Sequence, residues 1–258
     1  MPAFSVITPS LNQGRFLGEC LQSVRRAAAN ANVDVQHIVR DGGSSDKTLD
    51  VLRAASDVEW ESALDKGQTD AINQGLRIAN GTYVCYLCAD DVLEPNALEL
   101  VSRAFAENPA ADVVYGDGYF LEAGWKRRKR ARDFSAARLR RGNFLLQPSV
   151  FWRRAVNERF GLFDDSLRFC MDHEFWLRIC GETRWHYIAE PLASSRLHAD
   201  AKTWTQLVPA WDEARQMQRA YGIRWRPLRD ALWMRLGGSQ YYRLKRAIFA
   251  AMARRRIS

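Results

Sequence analysis

The chain has no run of about 18 apolar residues, the length a helix needs to cross a bilayer, so no spanning helix is expected. No secretory leader is expected either. Met1-Pro2-Ala3-Phe4 leads straight into a strand-like segment without a basic start, a long apolar stretch or a small-residue cleavage site, and a cytoplasmic location is expected. Cysteine is scarce: Cys20, Cys85, Cys88, Cys170 and Cys180 are scattered and odd in number, which excludes a disulfide scaffold and suits a reducing compartment. Cys85 and Cys88 stand three apart on an expected strand, so their side chains point to opposite faces. That argues against a shared metal and leaves both as small core residues. Two common nucleotide loops are missing too. No run of glycines closes in Gly-Lys-Ser or Gly-Lys-Thr, and the adjacent Gly42-Gly43 lacks the spacing of a dinucleotide fingerprint, which removes the usual ATPase and dehydrogenase readings.

What remains is a globular composition with lopsided charge. Of 258 residues 47% are hydrophobic, enough for one large core or a core with a small appendage. The net charge of +8 is not spread evenly. Of 38 basic and 30 acidic residues, 12 and 3 fall between Trp211 and Ser258, leaving 26 and 27 before them. The body is nearly neutral and the tail is basic.

The first half alternates strand-like and helix-like segments. Residues 4–8 read as a strand broken by Pro9-Ser10-Leu11-Asn12, after which Phe16, Leu17, Cys20, Leu21 and Val24 recur at helical spacing. A second strand at 35–40 runs into the turn-rich Asp41-Gly42-Gly43-Ser44-Ser45-Asp46, where Ser45 or Asp46 can cap the next helix. A helix over 71–79 precedes a nearly continuous apolar strand at 82–88, of the kind covered on both faces in a mostly parallel sheet. Pro95 suits the first turn of a helix carrying Leu98, Val101 and Phe105, and a short strand at 113–115 is turned by Gly116-Asp117-Gly118. The dense run Lys126-Arg127-Arg128-Lys129-Arg130 repels itself and is expected at the surface. A helix face begins near Asp172, and 185–188 resembles a strand. The expected fold class is α/β, a three-layer sandwich with a mostly parallel central sheet and ligands at the carboxyl ends of its strands. After it comes a basic helical tail. Leu228, Leu232, Tyr241 and Ile248 among arginines suit either an interfacial segment on an anionic membrane or packing on the core or a partner.

Chemistry concentrates in a few places. Asp90-Asp91 follows the apolar strand and precedes Pro95, so two carboxylates sit at a strand tip. There they can hold a divalent cation that in turn holds a phosphate, or simply face solvent. Adjacent side chains diverge, and the economical division gives one carboxylate to the cation and the other to ligand hydroxyls. The Gly42-Gly43-Ser44-Ser45 turn can bring backbone to an anion or serve only as a loop, while Asp41 before it can accept hydrogen bonds from a nucleobase. The block from Asp65 through Lys66, Gln68, Asp70 and Asn73 opens a helix. Asp70 is either a first-turn acid or a cleft residue, and Asn73 shares its face. Asp172-His173-Glu174 forms a second acidic cluster in which Asp172 can take a proton from a hydroxyl nucleophile or merely cap the helix, and Arg178 can pair with Glu174, at a site or simply in solvent. His198 stands alone as a metal ligand, a diphosphate donor or a structural residue.

These blocks in this order closely resemble the family 2 glycosyltransferases with the GT-A fold, in the bacterial branch that assembles cell-surface polysaccharide. The resemblance covers residues 4–202. It rests on Ser5-Val6-Ile7-Thr8-Pro9-Ser10-Leu11-Asn12, Asp41 to Asp46, Asp65 to Asn73, Ala89-Asp90-Asp91, Tyr115-Gly116-Asp117-Gly118, Gln147-Pro148-Ser149-Val150-Phe151 and Met171 to Arg178. It implies a GT-A-like domain over 1–205, with a donor-binding half at 1–118 and an acceptor-side half at 119–205, followed by the tail at 206–258. It also implies a UDP-, GDP- or dTDP-linked sugar donor, Mg²⁺ or Mn²⁺ as cofactor, and inversion at the anomeric carbon. By the same resemblance Pro9, Asn12, Asp41, Lys66, Gln68, Asp70, Asn73 and Asp90 bind donor, with Asp41 at the base and Asp90 at the ribose or sugar. Asp91 and His198 hold the metal, Asp172 is the general base, and Asp117, Gln147, His173, Glu174 and Arg178 support the acceptor side. Met171 and His173 depart from the acidic and aromatic residues common at those positions, which points to a different acceptor pocket. The implied acceptor is a saccharide or a polyprenyl-diphosphate-linked sugar, with the enzyme peripheral on the inner face of the plasma membrane. A sugar nucleotidyltransferase would want a glycine-rich basic loop after the first strand, of which Pro9 to Arg15 is a poor version. A non-catalytic nucleotide-sugar-binding protein is the third reading. A nucleic-acid partner is not expected, because it would leave the acidic cluster unexplained.

Overall fold

Seven successive buried residues make β1 (Phe4–Ser10) an inner strand. In such a strand most side chains are apolar or internally bonded. Phe4, Val6 and Ile7 pack, while Ser5 donates to Gln36 Oε1 at 2.6 Å and Thr8 Oγ1 meets His37 Nε2 at 2.9 Å on β2 (Val35–Asp41). Burial pushes the His37 imidazole down to about 4, as expected for a ring held inside the core.

The computed structural model describes residues 2–122, 125–198, 200–202 and 206–223. It divides into two compact units, Met1–His198 and Ala199–Ser258. In the second, a helix spans Leu207–Ala220, and the rest of the expected tail, 224–258, lies outside the described residues. Among the described residues no helix is long and apolar enough to cross a membrane.

The first unit is built on one mixed sheet of order β3-β2-β1-β4-β8-β6-β9-β5, with β7 on β6. The remaining strands are β3 (Glu59–Ser62), β4 (Tyr83–Tyr86), β5 (Val92–Leu93), β6 (Val113–Glu122), β7 (Trp125–Lys129), β8 (Val150–Arg153) and β9 (Trp185–Arg196). β1, β2, β3, β4, β6 and β9 run in one sense and β5, β7 and β8 against them, so the sheet is mostly parallel as expected. Helices α1 (Gly14–Ala31), α2 (Thr48–Arg53), α3 (Gln68–Ile78), α4 (Ala97–Glu107), α5 (Ala136–Leu139), α6 (Ala155–Phe160) and α7 (Met171–Ile179) flank it. This is the GT-A-like α/β sandwich. Beside β8, an aromatic core joins Trp152, Phe163, Phe175 and Trp176.

Three expectations are corrected. The strand at 82–88 stops at Tyr86, and residues 88–91 form a turn closed by Asp91 N–H donating to Cys88 O at 2.9 Å. Gly116-Asp117-Gly118 does not turn the chain but lies within β6, at a register shift against β9. The glycines serve close approach: a Cβ would lie 2.6 Å from Leu192 Cγ at Gly116 and 2.6 Å from the Ala193 carbonyl at Gly118. The basic run is not uniformly free at the surface. It forms β7, where Lys126 pairs with Glu94, Arg128 reaches Asp117 at 2.8 Å, and Lys129 donates to Leu145 O at 2.8 Å.

Candidate active site

The turn after β4 carries the first acidic centre. In a four-residue turn the first and last side chains approach each other. Here they are Cys88 and Asp91, and with Asp90 they bring one sulfur and two carboxylate oxygens within 4.8 Å of one another, the only such group found among the described residues. Asp91 is buried at 6% exposure and accepts from Arg196 N–H at 2.8 Å, which staples the turn to the end of β9. Burial, and then the charge of Asp90, push the Asp91 pKa well above the ordinary carboxylate range, against the pull of bonds from Arg196 and Ser195. The donor set, two hard oxygens and one sulfur at single-ion spacing, fits a divalent metal.

His198 meets Asp90 rather than Asp91, with Nε2 2.9 Å from Asp90 Oδ2. Arg15 lies 3.2 Å from His198 Nδ1, and a guanidinium can only donate, so the geometry suits a ring whose Nε2 carries the proton toward Asp90. The ring packs on Phe16 at 4.9 Å between centroids, and the Arg196 guanidinium also lies over the Phe16 ring.

The second acidic centre is Asp172, in the first turn of α7. It is partly exposed and accepts from Asn143 Nδ2 at 2.8 Å. Desolvation raises its pKa, and His173, Asn143 and Lys129 oppose the rise without cancelling it. Burial lowers Lys129 to about 8, with Asp172 acting to hold its proton. A carboxylate with a raised pKa, held by an amide and open to solvent on one side, is suited to accept a proton. Tyr86, at the end of β4, is buried; burial first, then the charges of Asp172, Cys88 and Asp91, push its phenol pKa well up.

On the opposite half, Asp41 ends β2 at 2% exposure with its carboxylate already bonded. Oδ2 accepts from Ser44 N–H at 2.9 Å and Ser62 Oγ at 2.6 Å, and Oδ1 from Ser44 Oγ. Asn12 turns at φ +53° and accepts Ser45 N–H at 2.9 Å, so the loops after β1 and β2 are laced together; Pro9 is buried in β1. Gly67, at φ +120°, opens α3 in a conformation that L side chains rarely adopt. Beyond it Asp70 accepts from the Lys66 N–H at 3.1 Å and from Gln74 at 3.0 Å, the Lys66 side chain is exposed, and Gln68 Nε2 lies 3.2 Å from Cys88 Sγ.

Several expected site residues are bonded within the fold. Asn73 is 2% exposed, and its amide bonds both the Phe163 N–H and carbonyl, at 3.0 and 2.9 Å. His173 is buried with Nε2 2.8 Å from Leu139 O. Asp117 is buried and takes bonds from Arg128, Ala131 N–H and Tyr187. Glu174 and Arg178 pair as the spacing suggested, and Arg178 also donates to Phe160 and Leu162 carbonyls, tying α7 to the segment after α6. Gln147 donates to Tyr86 O at 2.7 Å and anchors the end of β4. Asn143 and Lys129 stand at these centres without having been expected there, and Cys88, expected as a small core residue, stands at the first of them. Cys88 was hidden by placing it on a strand, and no local pattern marks the other two.

A family model for glycosyl transferase family 2 matches residues 5–170. A PGL/p-HBAD biosynthesis glycosyltransferase of Mycobacterium bovis is 31% identical over 183 residues, covering 69% of each chain. An uncharacterized glycosyltransferase of Rickettsia typhi is 27% identical over 218 residues, or 78% of this chain and 66% of that one. Among solved structures, S. aureus TarS 1-349 in complex with UDP-GlcNAc aligns at TM-score 0.65 and 16% identity over 83% of this chain and 65% of that one. The mannosyltransferase PcManGT from Pyrobaculum calidifontis, in complex with GDP-Man and Mn²⁺, aligns at 0.62 and 18% over 87% and 65%. The chain thus spans slightly less than two thirds of these solved structures, which it resembles in fold.

Proposed function

The chain belongs to glycosyl transferase family 2, and on that premise we propose that it moves one sugar from a nucleotide diphosphate donor to an acceptor hydroxyl, with metal assistance and inversion. The observation that carries this reading is the cluster of one sulfur and two carboxylate oxygens in the turn after β4, beside which the chain offers Asp172, partly exposed and held by Asn143 at the start of α7, as a proton acceptor. Asp172 takes the proton of the acceptor hydroxyl as its oxygen attacks the anomeric carbon. The bond from that carbon to the diphosphate breaks on the opposite face, so an α-linked donor gives a β-linked product. A divalent ion such as Mn²⁺ or Mg²⁺, bound at the first centre, supplies the positive charge that a departing diphosphate needs. Asn143 orients Asp172, and Arg196 holds the turn that presents Asp90 and Asp91.

The donor class follows from family membership, and nucleotide sugars are present in the TarS and PcManGT complexes named above. We assign the acceptor to the saccharide or polyprenyl-diphosphate-linked class at an anionic membrane surface, because the positive charge of this chain collects in its last 48 residues. The test is a screen of UDP-, GDP- and dTDP-linked sugars with and without Mn²⁺. Donor-specific, metal-dependent thermal stabilisation and a product one sugar heavier are expected. With added inorganic diphosphate, its consumption with formation of a nucleoside triphosphate and a sugar 1-phosphate would instead identify nucleotidyl transfer. No response to any donor would sink the reading.

A further inference from the structure

The Cys88 side chain differs from the other cysteines near the sheet. Cys20 and Cys85 are wholly buried, and desolvation drives both thiols far above their ordinary range, making them inert packing. Cys88 is partly exposed, opens the turn that ends in Asp91, and places its sulfur within 4.8 Å of both carboxylates. Ligands about 2.0–2.6 Å from one ion lie within that distance of each other. The sulfur is also held in place: Gln68 Nε2 approaches it at 3.2 Å, and the Cys88 carbonyl accepts from Asp91 N–H at 2.9 Å and from Cys20 Sγ at 3.7 Å. An amide N–H aimed at sulfur is the kind of outer contact that orients a thiolate ligand.

We propose that Cys88 is a third protein ligand of the cation held by Asp90 and Asp91, so that the site prefers thiophilic divalent ions such as Co²⁺, Zn²⁺ or Cd²⁺ to Mg²⁺. This rests on the reading that a cation binds this turn. Thiolates select softer ions, whereas a site made only of oxygens favours hard ones. Ligation releases the thiol proton to solvent and adds a third negative charge. Arg196 donates to the Asp90 carbonyl at 3.0 Å while pairing with Glu19, and Arg15 meets His198 beside Asp90, so cationic groups border the turn.

The test titrates the full, metal-free, reduced chain with Co²⁺ and follows the near-ultraviolet sulfur-to-cobalt band, with calorimetry for Co²⁺, Cd²⁺ and Mg²⁺ alongside. Wild type and the control Cys180→Ser should show the band at one equivalent. Cys88→Ser should lose it and bind Cd²⁺ roughly tenfold more weakly or worse, with Mg²⁺ affinity little changed. A band that survives Cys88→Ser, or Co²⁺ binding to wild type without a band, overturns the proposal and leaves the carboxylate cation site standing. Binding of no divalent ion at all overturns both. Should Cys88→Ser fold poorly, alkylation mapping of wild type decides: Cd²⁺ must shield Cys88 from iodoacetamide where Mg²⁺ does not, and equal labelling overturns the assignment.

Discussion

Two carboxylates, Asp172 and Asp91, have raised pKa values, and their different surroundings predict different behaviour. Asp172 must be deprotonated to act as a base, so kcat/KM should fall as pH drops through its raised pKa, with an acidic limb above that of an ordinary carboxylate. Asp172→Asn should lose about 10²–10⁴-fold in kcat/KM while calorimetry shows donor binding unchanged. Full activity in that variant would remove the base from the mechanism. Asp91 makes its statement through stability. A folded carboxylate with a raised pKa holds its proton more tightly than the unfolded chain does, so its penalty is absent at low pH and grows as pH rises toward the folded pKa. The metal-free protein should therefore become less stable above the ordinary carboxylate range. Asp91→Asn keeps an acceptor for Arg196 N–H, so it should melt higher than wild type at neutral pH without metal and gain nothing from Mn²⁺. Asp90, Asp91 and Asp172 were legible because charge at a strand tip or a helix start is a local pattern. Cys88 was not: strand alternation and turn closure give its side chain opposite neighbours, and one backbone hydrogen bond decides between them.

At the scale of elements, α3 is tied to the chain some 90 residues later by the Asn73 amide, which bonds both backbone groups of Phe163. Asn73→Ala leaves a buried N–H and a buried carbonyl without their partner, each costing about 1–3 kcal/mol. The urea midpoint should fall accordingly at unchanged m-value. A loss near zero would mean that water replaces the amide. Helices and inner strands were readable from periodicity, and α7 begins where Asp172 indicated. β6 was not readable past Tyr115, because glycine ordinarily marks turns. Here Gly116 and Gly118 instead let β9 lie against the strand, a contact with residues more than 70 positions away. The basic segment misled for a related reason. Self-repulsion argues for exposure, but Asp117, distant until the sheet forms, pairs with Arg128.

For the whole molecule, the α/β class and mostly parallel sheet could be foreseen from alternating segments, whereas the strand order could not. Antiparallel β8 enters between β4 and β6 by contacts no local pattern announces. The neutral body and basic end predict that removing residues 227–258 abolishes binding to anionic vesicles while sparing transfer to a soluble acceptor; unchanged vesicle binding would exclude that segment as the contact. The place of β8 also matters during synthesis. β1 to β4 can pair as soon as residue 86 has left the ribosome, but the free side of β4 then presents bare amides and carbonyls to any neighbouring chain until Val150–Arg153 emerges. A nascent protein halted before residue 150 is thus a sticky half-sheet, and such fragments should collect with chaperones or in inclusion bodies, whereas those reaching past β9 stay dispersed.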